Sequence, residues 1–359
     1  MGGLRGELDA AGVTDERLRA SYRRARELNA AHGRTYYLAT LLLPKWKRPH
    51  VHALYGFARY ADEIVDDLDS TLTDEAKAQW LRQWGSTLLA SLASGADVAA
   101  AETGATAEGE TAEAAATAAD AEATVLPAVL HTIRRFDLPV GYFETFLASM
   151  AMDLTITSYA TWDDLMVYIH GSAVVIGLQM LPILEPVNPA AEPYARDLGV
   201  AFQLANFIRD IGEDLRRGRV YLPQSSLDLF GVTWDHLAAG VADGPVRRLL
   251  AFEIARAREL FRSARPGIRL LHPTSRDCVS TAFRLYSGIL DEIERADYQI
   301  LDRRVSVGLG RRLGVAAPGL VRAAYSRRDQ ASGGNRMPGQ NRELDQGSAP
   351  GQSRSRPPR

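Results

Sequence analysis

Apolar residues in this chain recur at every third or fourth position, and no run alternates residue by residue for long enough to build a sheet. Spacing of three and four puts side chains on one face of a helix, whereas a half-buried strand needs strict alternation. The pattern predicts helices over 15–33 (DERLRASYRRARELNAAHG), 48–68, 74–92 and 246–264, and it lets 275–301 run as one long helix. Thr73 before Asp74-Glu75 and Thr161 before Trp162-Asp163-Asp164 are residues that cap helix N-termini. Helices with one apolar stripe bury it against each other, so the expected fold is all-α, a single domain over 15–325.

Three stretches stand outside this pattern. Residues 1–14 are expected to form a flexible N-terminus, and they lack the apolar core of a secretory signal. Residues 95–124 consist of Ala, Gly, Thr and acids with a single Val, and contain no basic or aromatic residue. Such a segment buries too little apolar surface to offset its ordering entropy, so it is expected to be a disordered insertion. The tail from 326 to 359 is rich in Gly, Pro, Ser and Arg and is likewise expected to be disordered.

Composition narrows the function classes. A formal net charge of −2 argues against a dedicated nucleic-acid binder, which carries a basic excess. Cys278 is the single cysteine, so neither an intrachain disulfide nor a cysteine-based zinc site can form, and a reducing, cytoplasmic setting fits. The most apolar stretch, VVIGLQMLPIL (174–184), is too short to span a bilayer and contains Pro182, so it is expected to be a core helix. His50 and His52 form an HxH whose rings point to different helix faces, which disfavours a zinc pair. No HExxH, GxxxxGK[ST] or strand-bounded GxGxxG is present.

Two acidic strips carry the chemistry. In ALYGFARYADEIVDDLDS (53–70), Asp62 and Asp66 lie four apart, and in NFIRDIGEDLRRGRVYLP (206–223) Asn206, Asp210 and Asp214 repeat that interval. On a helix such neighbours sit about 5–6 Å apart and repel unless a cation stands between them. Mg²⁺ suits the arrangement because it takes a few carboxylate oxygens and completes its shell with water and substrate phosphate. Arg59 precedes Asp62 by three residues and Arg209 adjoins Asp210, so each strip also carries a fork for phosphate oxygens. Metal on one side and guanidinium on the other is the chemistry of a bound diphosphate.

YGFARYADEIVDD and QLANFIRDIGEDLRRGRVYLP closely resemble the two aspartate-rich motifs of the squalene and phytoene synthases, the head-to-head prenyl diphosphate synthases. The resemblance covers roughly residues 20–320, with 95–124 as an addition. It implies a helical bundle around a central apolar cavity. It implies that Asp62 and Asp66 hold one part of a Mg²⁺ cluster (Mn²⁺ being the alternative ion) and that Asp210 and Asp214 hold the other, with Asn206 and Gln203 beside them. Arg59, Arg209 and one of Arg303 and Arg304 are implied as diphosphate clamps, and Tyr55 as a residue lining the same site. His32 and Thr35, in HGRTYYLATLLLP, are implied to lie near a diphosphate; Gly33 stands where the family often has serine. Tyr168, in YIHGSAVVIG, matches a tyrosine that steers the first half-reaction, and Ser172-Ala173-Val174 replaces the usual Val-Ala-Gly after it. Asp67 reads as a surface acid or an outer partner.

The implied reaction is the Mg²⁺-dependent coupling of two geranylgeranyl diphosphates to phytoene, without NADPH. The prenyl diphosphate is the expected partner, peripheral membrane contact would serve release of a lipid product, and no nucleic acid is expected. A deep apolar cavity must keep water from an allylic cation, and Phe57, Leu178, Met180, Leu181, Phe202 and Leu204 are the candidate wall. The final proton acceptor is either Tyr168 or the departing diphosphate. A squalene-type enzyme acting on farnesyl diphosphate, a cyclising terpene synthase and a non-catalytic helical binding protein are the alternatives.

Overall fold

Helices begin at the two threonine caps that the sequence predicts, and Asp15 caps a third. The Asp15 side chain accepts from Leu18 N at the start of α2 (Glu16–His32), and the Thr73 side chain accepts from Ala76 N at the start of α5 (Asp74–Ala93). Thr161 and Asp164 form a reciprocal capping box at α8 (Trp162–Ile169). The computed structural model describes residues 3–66, 71–94 and 125–303, and beyond these Val305, Val307, Gly308, Gly310, Gly314, Val315 and Ala317. The expected insertion at 95–124 and tail at 326–359 lie outside the described residues.

The remaining helices are α1 (Leu4–Ala10), α3 (Arg34–Thr40), α4 (Arg48–Asp66), α6 (125–136), α7 (Gly141–Met152), α9 (Val175–Leu184), α10 (Ala191–Arg216), α11 (Gln224–Phe230), α12 (Trp234–Ala238), α13 (Gly244–Ala264) and α14 (Pro273–Arg295). A π-turn, His170–Val174, joins α8 to α9, and a 3₁₀ segment, Arg265–Leu270, joins α13 to α14. Among the described residues there is no strand, only isolated bridges between Ser158 and Val220 and between Pro186 and Leu271. The all-α expectation holds.

Long α10 packs most extensively on α13 and also touches α9, the π-turn and α14, so it runs through the middle of the bundle. One core gathers α4, α5, α6, α7 and α9 around Phe57, which stacks on Trp84 at 4.7 Å. A second core packs α10, α13 and α14 together. Each fully buried large side chain in these cores contributes about 1.5–3 kcal/mol.

Two expectations are corrected. The N-terminus is not a loose arm: α1 buries Leu8, and Val13 beyond it is buried with Tyr22, Ala53 and Ala128. A seven-residue helix is too short to hold alone. Tertiary contacts hold this one, chief among them Arg48 Nη1 donating to the buried Glu7 carboxylate at 2.7 Å. The last long helix stops at Arg295 instead of reaching 301, because Asp297 and Tyr298 take left-handed backbone (φ 51° and 60°). Tyr298 N then donates to Ile293 O, a Schellman-type closure that caps the helix carbonyls.

The stretch Trp162–Leu184 is helical for 23 residues and is long and apolar enough, by length and composition, to cross a membrane. The separate elements α8 and α9 are each shorter, and the π-turn makes them continuous. Nearly half of the stretch is buried, and it packs on α7 and α10 as the wall of the cavity described next.

Candidate active site

A cavity of about 400 Å³ runs between α3, α4, α9, α10 and α14. Arg59 and Asp62 of α4 line it, as do Gln203 and Asn206 of α10. The two acid-bearing helices therefore face one space. Asp66 stands in the last turn of α4 and Asp214 in the last turn of α10, where the helix dipole favours cations.

Each strip is already engaged with its own arginine. Arg59 Nη1 donates to Asp62 Oδ2 at 2.6 Å and its Nε to Glu63 Oε1 at 3.0 Å. Arg209 grips Asp210 with two parallel bonds, Nε to Oδ1 at 2.7 Å and Nη2 to Oδ2 at 2.5 Å. Burial works against both guanidinium charges, but the adjoining carboxylates outweigh it and hold both pKa values above the ordinary one.

Tyrosines bridge the two pairs. Tyr55 lies beside Arg59 and Asp62, its ring 6.3 Å from Tyr36, and Tyr36 in turn lies 5.0 Å from Tyr286 beside Arg209. Burial is the main cause that raises the Tyr55 and Tyr36 phenols above their ordinary value, so they stand as neutral donors. Neither Tyr36 nor Tyr286 was picked out from the sequence, where an aromatic at helical spacing has the look of ordinary core.

Asn206 Oδ1 is shielded from solvent and has no hydrogen-bond partner among the described residues. A buried amide oxygen without a donor costs free energy unless something positive reaches it. It sits one turn before Asp210 on α10. That makes it a fitting oxygen for a divalent cation, although among the described residues no three His, Cys, Asp or Glu side chains already converge as a metal cluster. Asp214 follows Asp210 by one more turn and is close enough to Tyr221 to act on its phenol. Asp66 closes α4 one turn after Asp62; its side chain, Asp67 and Arg304 lie outside the described residues.

The other candidates fall less centrally. His32 stands at the rim, with Nε2 3.3 Å from Glu63 Oε1, so it reaches Arg59 through Glu63. Thr35 is half-buried on α3 and does not line the cavity. Arg303 is exposed, its Nε donating to Gln299 O at 3.1 Å, and it does not reach the cavity. Of the six wall candidates, Met180, Leu181 and Phe202 line the cavity, while Phe57, Leu178 and Leu204 are buried in the cores around it. The HxH histidines face separate partners: His50 meets Tyr22 and Thr132, and His52 meets Asn29. Burial pushes both down to about 3, so they stay neutral.

Gly33 has a steric reason to be glycine. A β-carbon there would come within 2.7 Å of the Tyr55 ring and 2.6 Å of Asn29 Oδ1. Gly33→Ser is expected to displace Tyr55 from beside Arg59 and lower turnover roughly tenfold or more, rather than add a useful phosphate contact. Steady-state kinetics of the variant check this, and undiminished turnover would refute it.

A family model described as squalene/phytoene synthase matches residues 29–311. The chain belongs to the squalene/phytoene synthase family. The phytoene synthase of Arthrospira platensis is 35% identical over 301 residues, covering 80% of this chain and 88% of that one. The 15-cis-phytoene synthase of Synechocystis sp. is 34% identical, covering 82% of each chain. Among solved structures, a dehydrosqualene synthase in complex with ligand superposes with a TM-score of 0.71 over 87% of this chain and 99% of that one, at 23% identity. The squalene synthase HpnC from Alicyclobacillus acidocaldarius gives a TM-score of 0.65 over 80% and 98%, at 27% identity. The helical fold of this family is thus the fold of this chain.

Tyr168 lines the same cavity, but its phenol is not free: Oη donates to Asp153 Oδ2 at 2.5 Å. Burial above all, and then the Asp153 charge, raise its pKa well beyond the ordinary value. A neutral phenol that donates its proton is a poor acceptor, which favours the departing diphosphate as the final base. Asp153 was missed in the sequence. Its signal there was its isolation, as the sole acid between Glu144 and Asp163 in a mostly apolar run.

Proposed function

We propose that this protein joins two molecules of geranylgeranyl diphosphate head to head, through a cyclopropylcarbinyl diphosphate, to give phytoene. The observation that carries the chain length is the extent of the apolar wall along α10. Cavity-lining positions run from Asn206 back to Ala191, fifteen residues apart, or about 22 Å at the helical rise. Tyr194, one turn from Ala191, lines it too, with Gly267 packed against the Tyr194 side chain. Four prenyl units laid end to end match such a slot, with the diphosphate at the Asn206 end. The names of the phytoene synthases to which the chain is similar support the same reading.

Arg59 and Arg209 bind the diphosphate, with Tyr55 and Gln203 as further donors. Asp62, Asp66, Asp210 and Asp214, with the orphaned Asn206 oxygen, are the groups that would hold Mg²⁺, which when bound offsets the charge growing on the leaving diphosphate. Met180, Leu181 and Phe202 exclude water while the allylic C–O bond breaks. The double bond of the second substrate then closes on the cationic carbon, and a proton leaves to diphosphate. Loss of the second diphosphate, rearrangement and loss of a second proton complete a redox-neutral sum, so no NADPH is consumed. The hydrocarbon product calls for peripheral contact with a bilayer on release.

Purified protein incubated with Mg²⁺ and either geranylgeranyl or farnesyl diphosphate, without NADPH, tests the reading by the hydrocarbon extracted. A C40 hydrocarbon bearing a conjugated triene, formed from the C20 substrate, lost with EDTA and restored with Mg²⁺ or Mn²⁺, is the expected result. Product from the C15 substrate alone would move the enzyme to the squalene branch.

A further inference from the structure

Asp153 is an acid in a place that the reaction above does not explain. It follows α7 and is only 8% exposed. Both of its oxygens are taken by phenols: Tyr168 Oη donates to Oδ2 at 2.5 Å and Tyr221 Oη donates to Oδ1 at 2.9 Å. In its ionised form this carboxylate can accept from both phenols at once, one at each oxygen.

Around it stands a box of aromatic rings. Tyr168 lies 5.5 Å from Tyr221 and 5.6 Å from Tyr159, and Tyr221 stacks on Phe207 at 4.1 Å with the planes only 9° apart. Five different segments supply the parts: the end of α7, the loop before α8, α8 itself, α10 and the stretch after α10. A buried charge fixed this way costs desolvation free energy, and a structural purpose alone would be met as well by an apolar residue. Tyr168 is the member of the box that lines the cavity.

We infer that Asp153 is a positioning residue for the prenyl coupling reaction: by taking the Tyr168 proton into its hydrogen bond it leaves the phenolic oxygen lone pairs to face the cavity, where they stabilise an allylic cation. The inference rests on the reaction proposed above. The carboxylate polarises the O–H bond and makes the phenolic oxygen more negative, and both are held in place before the cation forms, which is where fixed dipoles contribute most to rate. The diphosphate is gripped elsewhere, by Arg59 and Arg209. Loss of Asp153 therefore acts on the ionisation steps and not on substrate binding.

The test is a double-mutant cycle on kcat and KM, following diphosphate release with whichever prenyl diphosphate the wild type turns over. Asp153→Asn keeps the shape and removes the charge; it should lower kcat about 10- to 100-fold while KM stays within about twofold. Tyr168→Phe should show a similar loss, and the double variant should fall no further than the worse single one, because one residue acts through the other. Multiplying losses, an unchanged kcat in Asp153→Asn, or a change confined to KM would each overturn the inference. Where Asp153→Asn fails to fold, Tyr221→Phe decides: it removes a hydrogen bond to Asp153 but not the charge, so kcat should stay within about threefold. A loss as large as that of Tyr168→Phe would show that the box acts as packing, against the inference. Wild-type protein that releases no diphosphate from either substrate would refute the reaction itself, and with it this role; a wild type that is active on the C15 substrate alone refutes only the chain length.

Discussion

Asp210→Ala is expected to cut hydrocarbon formation by about a thousandfold, the largest loss among single substitutions in the site. Asp210 is held by both donors of Arg209 and follows the unpartnered Asn206 oxygen by one turn. Alanine removes a carboxylate from the group proposed for the cation and at the same time takes away the partner that fixes the Arg209 fork, which is proposed to grip the diphosphate. Geometry and charge are lost together, so kcat should fall far more than KM rises. Asp210→Asn keeps one oxygen and should fall between the two, with a higher Mg²⁺ concentration needed for half-maximal rate. Product analysis with a Mg²⁺ titration decides the matter. Turnover of Asp210→Ala within tenfold of wild type would remove Asp210 from the site, provided circular dichroism shows both proteins equally folded.

Gly212→Ala should damage both stability and activity. Gly212 lies between Asp210 and Asp214 on α10, and a β-carbon there would fall 2.0 Å from Leu301 O, 2.7 Å from Leu301 C and 2.9 Å from its α-carbon. These are backbone atoms, which cannot rotate aside as a side-chain tip would. Leu301 is itself buried and anchors the segment that follows α14. Either that segment leaves its seat or α10 shifts at the very turn that carries the aspartates. The cost is about 2 kcal/mol or more, and a shift of about 1 Å at the acid strip is worth up to about a hundredfold in rate. Thermal unfolding and kcat of the variant measure the two effects separately. A variant with wild-type melting temperature and rate would mean that the segment yields freely and does not support α10.

The two predictions concern residues of different visibility. Asp210 announces itself in the sequence, because a strip repeated at four-residue intervals is a local pattern and a helix turns it into a face without help from the rest of the chain. Gly212 sits inside the same motif, yet nothing local tells why it is glycine; the reason is a carbonyl 89 residues later in the chain. The same contrast holds for the wall. Met180 and Phe57 are both apolar residues on helical stripes, but only Met180 faces the cavity, while Phe57 is turned into the stack with Trp84.

The errors at the chain's ends follow the same logic. Residues 1–14 lack the length for a self-supporting helix, so the sequence reads as a loose arm until Arg48 and the cluster around Tyr22 supply the contacts. The helix expected to reach 301 ends at 295 because a left-handed turn at Asp297 and Tyr298 returns the chain towards α10. Periodicity continues past such a turn, since apolar residues are needed on both sides of it.

What the sequence determined by itself was the helical class, the cap positions and the two acidic strips with their arginines, all of them set by residues within about one or two turns of each other. What only the tertiary structure decided was how the helices are turned towards one another: that Asp62 of one strip and Asn206 of the other line one cavity, that Tyr36 and Tyr286 lie between the two helices, and that Asp153 collects Tyr168 and Tyr221 from 15 and 68 residues away. Local spacing fixes which face of a helix a residue occupies, whereas the neighbour across that face depends on the packing of the entire bundle.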